Sequence, residues 1–124
     1  MPPEIRFARR LYRAAAIYGV IVLIPLYFVP VPDPYRLNLI GFAGTALVFQ
    51  GMFWIIAHDP LRFLPLVALS VFEKLSFGLP AVAFWARGQG DRFSAIFGAI
   101  DLLLAILFSI TWFRLQALSA ERTT

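Results

Sequence analysis

Along this chain, apolar residues fall into four long blocks, at about residues 14–31, 37–57, 61–86 and 93–115, separated by short polar or proline-rich breaks. Each block approaches or exceeds the roughly 20 residues that an α-helix needs to cross a hydrocarbon core. The pattern predicts an all-α integral membrane four-helix bundle, antiparallel and up-down, because the breaks are too short to do more than reverse the chain. On this reading residues 1–124 form a single transmembrane domain.

The breaks sharpen the reading. Arg6, Arg9, Arg10 and Arg13 precede the first block, which contains Pro25 and ends in Pro30-Val31-Pro32-Asp33-Pro34 rather than at a small-residue cleavage site. A retained first helix is expected, not a cleaved signal. The prolines through Tyr35 and Arg36 predict the first loop, since each ring removes a backbone donor and restricts the residue before it. His58-Asp59-Pro60 puts a capping carboxylate directly before a proline, so the third helix is expected to start at once. Residues 87–92 form a polar loop with Gly88 and Gly90, and the tail from Gln116 is expected to fray.

Composition removes most competing classes. The chain is 60% hydrophobic and 15% charged, against roughly 45–50% and about 25% in soluble domains. It has no cysteine, which excludes thiolate ligands and cysteine nucleophiles. His58 is the single histidine, so no metal set is expected and no cofactor is called for. The net charge of +4 would suggest nucleic acid only in a soluble chain. Here the basic residues lie at block ends: Arg6, Arg9, Arg10, Arg13, Arg62, Arg114 and Arg122 on one side, Arg36, Arg87 and Arg92 on the other. That bias predicts both termini on the cytoplasmic side, with the lipid bilayer as the immediate partner and no nucleic acid. Tyr12, Tyr35, Trp54, Trp85 and Trp112 stand near block ends and are expected to be interfacial anchors.

Against this apolar background, Glu73 and Lys74 in the third block and Asp101 in the fourth stand out. Ionisable residues there cost roughly 2.5–3.5 kcal/mol each on insertion scales and rarely face lipid. Helical periodicity puts Ser70, Glu73, Lys74, Phe77, Gly78 and Ala81 on one arc, and Ser94, Gly98, Asp101, Ala105, Ser109 and Trp112 on one arc of the next helix. At 1.5 Å per residue Lys74 lies roughly 18 Å from its helix's outer end and Asp101 roughly 13 Å, a gap a lysine can bridge. An ion pair between them is expected, inside a polar cluster of Glu73, Lys74, Asp101, Gln50 and Ser70. Glu73 is then left to find Gln50, a serine, a tyrosine such as Tyr18, or a proton of its own, and because two carboxyls with one ammonium leave an excess negative charge, a proton on Glu73 at neutral pH is the expectation. An infrared protonated-carboxyl band lost in Glu73→Gln would support this hypothesis, and its absence at neutral pH would sink it. Such a cluster can equally serve only to fix helix packing.

The run His58-Asp59-Pro60-Leu61-Arg62-Phe63-Leu64-Pro65-Leu66, with Phe72-Glu73-Lys74-Leu75-Ser76-Phe77-Gly78, Asp101-Leu102-Leu103 and Leu107-Phe108, resembles small uncharacterised four-helix bacterial inner-membrane proteins. In topology and size these look similar to the broad DoxX-like set, some of whose members are tied to quinone-linked redox complexes. The resemblance implies a bacterial inner membrane and assigns no catalytic residue. Small multidrug transporters are similar in length but carry their membrane glutamate in the first helix, where this chain has no acid after Glu4.

Three functions fit. The leading expectation is a non-catalytic accessory or structural subunit, docked on a larger membrane partner or on copies of itself. A binding protein or small enzyme for a lipophilic molecule such as a quinone or lipid would need an open cavity beside Glu73, Lys74 and Asp101. A proton-coupled transporter would use Glu73 or Asp101 as its protonation site.

Overall fold

The computed structural model describes residues 1–123, and over that range all regular secondary structure is helical, with no strand. Four long helices follow one another: α1 (Pro3–Leu23), continued by a 3₁₀ turn (Ile24–Phe28), then α2 (Asp33–His58), α3 (Leu64–Ala86) and α4 (Arg92–Thr123). All four are long and apolar enough to cross a membrane.

The helix bounds depart from the sequence expectation in five places. Helix α1 starts at Pro3 and runs through the arginines, because Ile5, Ala8 and Tyr12 on one of its faces are buried in the core. Its end is set by Pro25, which cannot continue the α-helical ladder and falls in the 3₁₀ turn. Helix α2 starts at Asp33, inside the expected loop, since Pro34 sits in the first turn where its missing N–H costs nothing. Asp59 does not start α3. It terminates α2, its Oδ1 accepts the Arg62 N–H at 3.3 Å, and residues 60–63 form a turn before α3 begins at Leu64. The tail is helical to Thr123 rather than frayed, because Leu115 and Leu118 pack on the same core as Ile5 and Ala8; Thr124 lies outside the described residues.

Packing divides the molecule into two close helix pairs, α1 with α2 and α3 with α4, with slighter contact from α1 to α4 and from α2 to α3. Small residues set the second pair's spacing. A Cβ on Gly98 would sit 2.6 Å from the Ala81 Cβ, and one on Gly78 would sit 3.0 Å from the Gly98 carbonyl oxygen. The α3–α4 connection closes through Gly88 and Gly90, both in the left-handed region at φ +76° and +75°, so here glycine is required by the backbone.

The two pairs join through an aromatic core. Tyr12 stacks on Phe108 with ring centroids 4.3 Å apart, and Phe53 meets Phe108 edge-on at 5.5 Å. Tyr12 is therefore a fully buried core residue and not an interfacial anchor, whereas Tyr35, Trp54 and Trp85 are exposed. The outward faces carry exposed Phe72, Leu79, Leu103, Ile106 and Ile110. The arcs expected to turn inward do so, with Ser70, Lys74, Gly78, Gly98 and Ala105 buried.

Candidate functional site

Helix geometry brings the three intrahelical charges to one point. Lys74, only 3% exposed, places its Nζ 3.6 Å from Glu73 Oε2 and 3.6 Å from Asp101 Oδ1. Both carboxylates share one ammonium, which also lies 5.1 Å from the centroid of the Phe53 ring on α2. The expected partnership of Lys74 with Asp101 is present, and Glu73 belongs to it as well rather than pairing elsewhere.

These charges lie in the wall of a cavity of about 340 Å³. Its lining comes from every helix: Tyr18, Gly19, Val22 and Leu23 of α1, Leu26 of the 3₁₀ turn, Leu39, Phe42 and Ala46 of α2, Glu73, Lys74, Ser76 and Phe77 of α3, and Ser94, Phe97 and Asp101 of α4. A volume of a few hundred Å³, mostly apolar with a few convergent polar groups, is the usual form of a small-molecule site. The cavity lies on one side of the aromatic core, and Tyr18, Phe42, Phe77 and Phe97 stand in its wall.

Polar atoms at this site are not fully satisfied. Among the described residues, Tyr18 Oη is buried without a hydrogen-bond partner, and Glu73 Oε2, also without a hydrogen bond, meets the Lys74 ammonium only at 3.6 Å. An unpaired buried polar group costs on the order of 1–3 kcal/mol, so both atoms would gain from a ligand able to bond them. Pro80, inside α3, has no N–H to offer the carbonyl of Ser76, whose own hydroxyl donates to the Glu73 carbonyl at 2.6 Å. Tyr18 and Ser76 were part of no strong sequence pattern. Tyr18 lies in the apolar stretch of α1 that follows Arg13, a faint signal that a polar atom there needs a partner.

The remaining members of the expected cluster have other roles. Ser70 donates to the Val67 carbonyl at 2.6 Å and accepts the Tyr12 hydroxyl at 2.6 Å, tying α1 to α3 within the core. Gln50 donates to the Ala46 carbonyl of its own helix at 2.8 Å, and its side chain occupies the space over Gly19, where a Cβ would collide with it. Neither residue lines the cavity. His58, through Nδ1, donates to the Trp54 carbonyl at 2.8 Å, and Arg9 donates to the Ala57 carbonyl at 3.2 Å, so both cap the end of α2.

Ser94 lines the cavity from the first turn of α4, and Asp91 precedes that helix. Asp91 caps α4, accepting the Ser94 N–H at 2.9 Å and the Ser94 hydroxyl at 2.7 Å. The hydroxyl and backbone bonds from Ser94 hold the Asp91 carboxyl below its ordinary range. No family model, curated protein or solved structure matches this chain.

Proposed function

We propose that this protein is a membrane-embedded binding protein for a lipophilic molecule with a hydrogen-bonding head, held between the two helix pairs. One observation carries the reading: a single cavity wall combines three charged side chains and the unpartnered Tyr18 Oη with apolar Val22, Leu26, Leu39, Phe42, Phe77 and Phe97. A ligand dissolved in the bilayer reaches such a site without crossing water, its body against the phenylalanines and its head against the charges.

The same proposal includes the setting. The four spans lie across a bacterial inner membrane as an antiparallel up-down bundle. Neighbours such as Arg9 with Ala57, Tyr12 with Phe53 and Tyr27 with Gly44 support opposed directions for α1 and α2. Arginine bias supports cytoplasmic termini. The likeness to the DoxX-like set is part of this proposal and rests on the sequence motifs alone.

The test is thermal. Delipidated protein in neutral detergent is melted with and without an extract of its own membrane lipids, beside an Ala46→Leu variant whose added atoms enter the cavity. A ligand present at 100 times its Kd stabilises by about 2.7 kcal/mol. The wild type should gain several degrees, and Ala46→Leu should melt no lower than the unliganded wild type yet gain nothing. Equal gains in both proteins would exclude the cavity as the site. An accessory role in a larger complex is a second reading, favoured by the open face of α2, where Gly41 and Gly51 have no neighbouring atom within 4 Å.

A further inference from the structure

The charges in the cavity wall do not balance, and that selects among lipophiles. Glu73 and Asp101 supply two negative charges, and Lys74 supplies one positive charge, 3.6 Å from each carboxylate. Tyr18 faces the cavity from α1, while α2 and the 3₁₀ turn contribute only apolar Leu39, Phe42, Ala46 and Leu26. Among the described residues no other titratable group lines it. Removed from water, the group needs one further positive charge, and only a proton on a carboxyl or the charge of a ligand can supply it.

From this geometry we infer that the ligand is a lipophilic amine, bound as its ammonium against Glu73, which it shares in competition with a proton. This deepens the binding reading above and rests on it. Tyr18 Oη is buried without a partner and Glu73 Oε2 has no hydrogen bond, only the Lys74 ammonium at 3.6 Å, so each can accept an N–H. The protein already holds one alkylammonium in this way: Lys74 Nζ lies between carboxylates and 5.1 Å from the face of Phe53. Phe42 and Phe77, with ring centroids 5.6 Å apart, and Phe97 line the cavity and can take a second ammonium's alkyl or aryl body and part of its charge. The exchange balances as neutral Glu73 carboxylic acid plus ligand ammonium giving carboxylate–ammonium pair plus one proton, released to the medium.

Two probes of nearly equal shape separate charge from lipophilicity: 2-phenylethylammonium and neutral propylbenzene, measured by calorimetry on the purified full chain in neutral detergent. The inference predicts that at neutral pH the ammonium binds tighter by about tenfold or more. Its affinity should fall on acidification with uptake of a proton at Glu73. Glu73→Gln should abolish both the preference and the pH dependence while still binding propylbenzene, which shows that the variant is folded. Propylbenzene binding as tightly as the ammonium, or a preference that survives Glu73→Gln, would overturn the amine while leaving the cavity reading in place. Binding of neither probe would overturn the cavity reading and the amine with it.

Discussion

Lys74 is the residue on which the site depends, since one ammonium serves two carboxylates in an apolar surround. Lys74→Met leaves both acids without their cation, and breaking a buried pair in this way costs about 3–5 kcal/mol. The joint Lys74→Met and Asp101→Leu protein should recover most of that loss, because Glu73 alone can stay protonated. Thermal unfolding of the single and double variants in detergent measures the difference, and a double-variant loss equal to the sum of the two single losses would show that the side chains are not coupled. Tyr12 offers a second test. Tyr12→Phe removes only its hydroxyl's bond to Ser70, about 1 kcal/mol, whereas Tyr12→Ala opens the stack on Phe108 and should cost about 3–5 kcal/mol. The meeting of Lys74 with Asp101 was legible in the sequence because intrahelical charge is costly and helical periodicity assigns its direction. The burial of Tyr12 was not legible. A tyrosine beside four arginines reads as an interfacial ring until the packing of Ile5, Ala8 and Leu115 carries the core past the arginine flank.

Among the helices, α3 and α4 owe their close approach to Gly78, Gly98 and Ala81. Gly98→Ala should force the pair apart and lower the melting temperature, and Ala81→Gly in the same chain should restore it, because it removes the atom the new Cβ meets. Failure of that rescue would place the contact elsewhere. The start of α4 depends on Asp91, whose loss in Asp91→Ala should cost about 0.5–2 kcal/mol, as for other N-caps. Bonds from Ser94 favour the ionised carboxyl, so its stabilisation is complete above the ordinary carboxylate range and is lost as pH falls through the lowered folded-state value. The wild type should therefore lose its advantage over Asp91→Ala in acid. Four helices were legible as four apolar blocks, but their ends were not. Asp59-Pro60 has the composition of a helix start, yet the carboxylate closes a turn onto Arg62. Asp33-Pro34 has the composition of a loop, yet it opens a helix.

At the scale of the molecule, a filled half and a half with a cavity lie side by side. The filled half holds Tyr12, Phe53, Val67, Phe108 and Leu115, all fully buried, and joins the two helix pairs. Beyond it all four helices line a cavity of about 340 Å³. Sequence could place charges on inward arcs but could not reveal a cavity, since volume depends on which side chains from separate helices meet. Leu39, Phe42 and Ala46 carry no sign that they line the same space as Asp101. If the cavity is the working part of the protein, whatever occupies it should survive gentle extraction. The measurement that bears most directly on this is native mass spectrometry of the chain taken from its own membrane in mild detergent. The account predicts a small molecule retained at one copy per chain and lost in Ala46→Leu. A chain that carries only a larger protein partner, with no small molecule in either form, would contradict it.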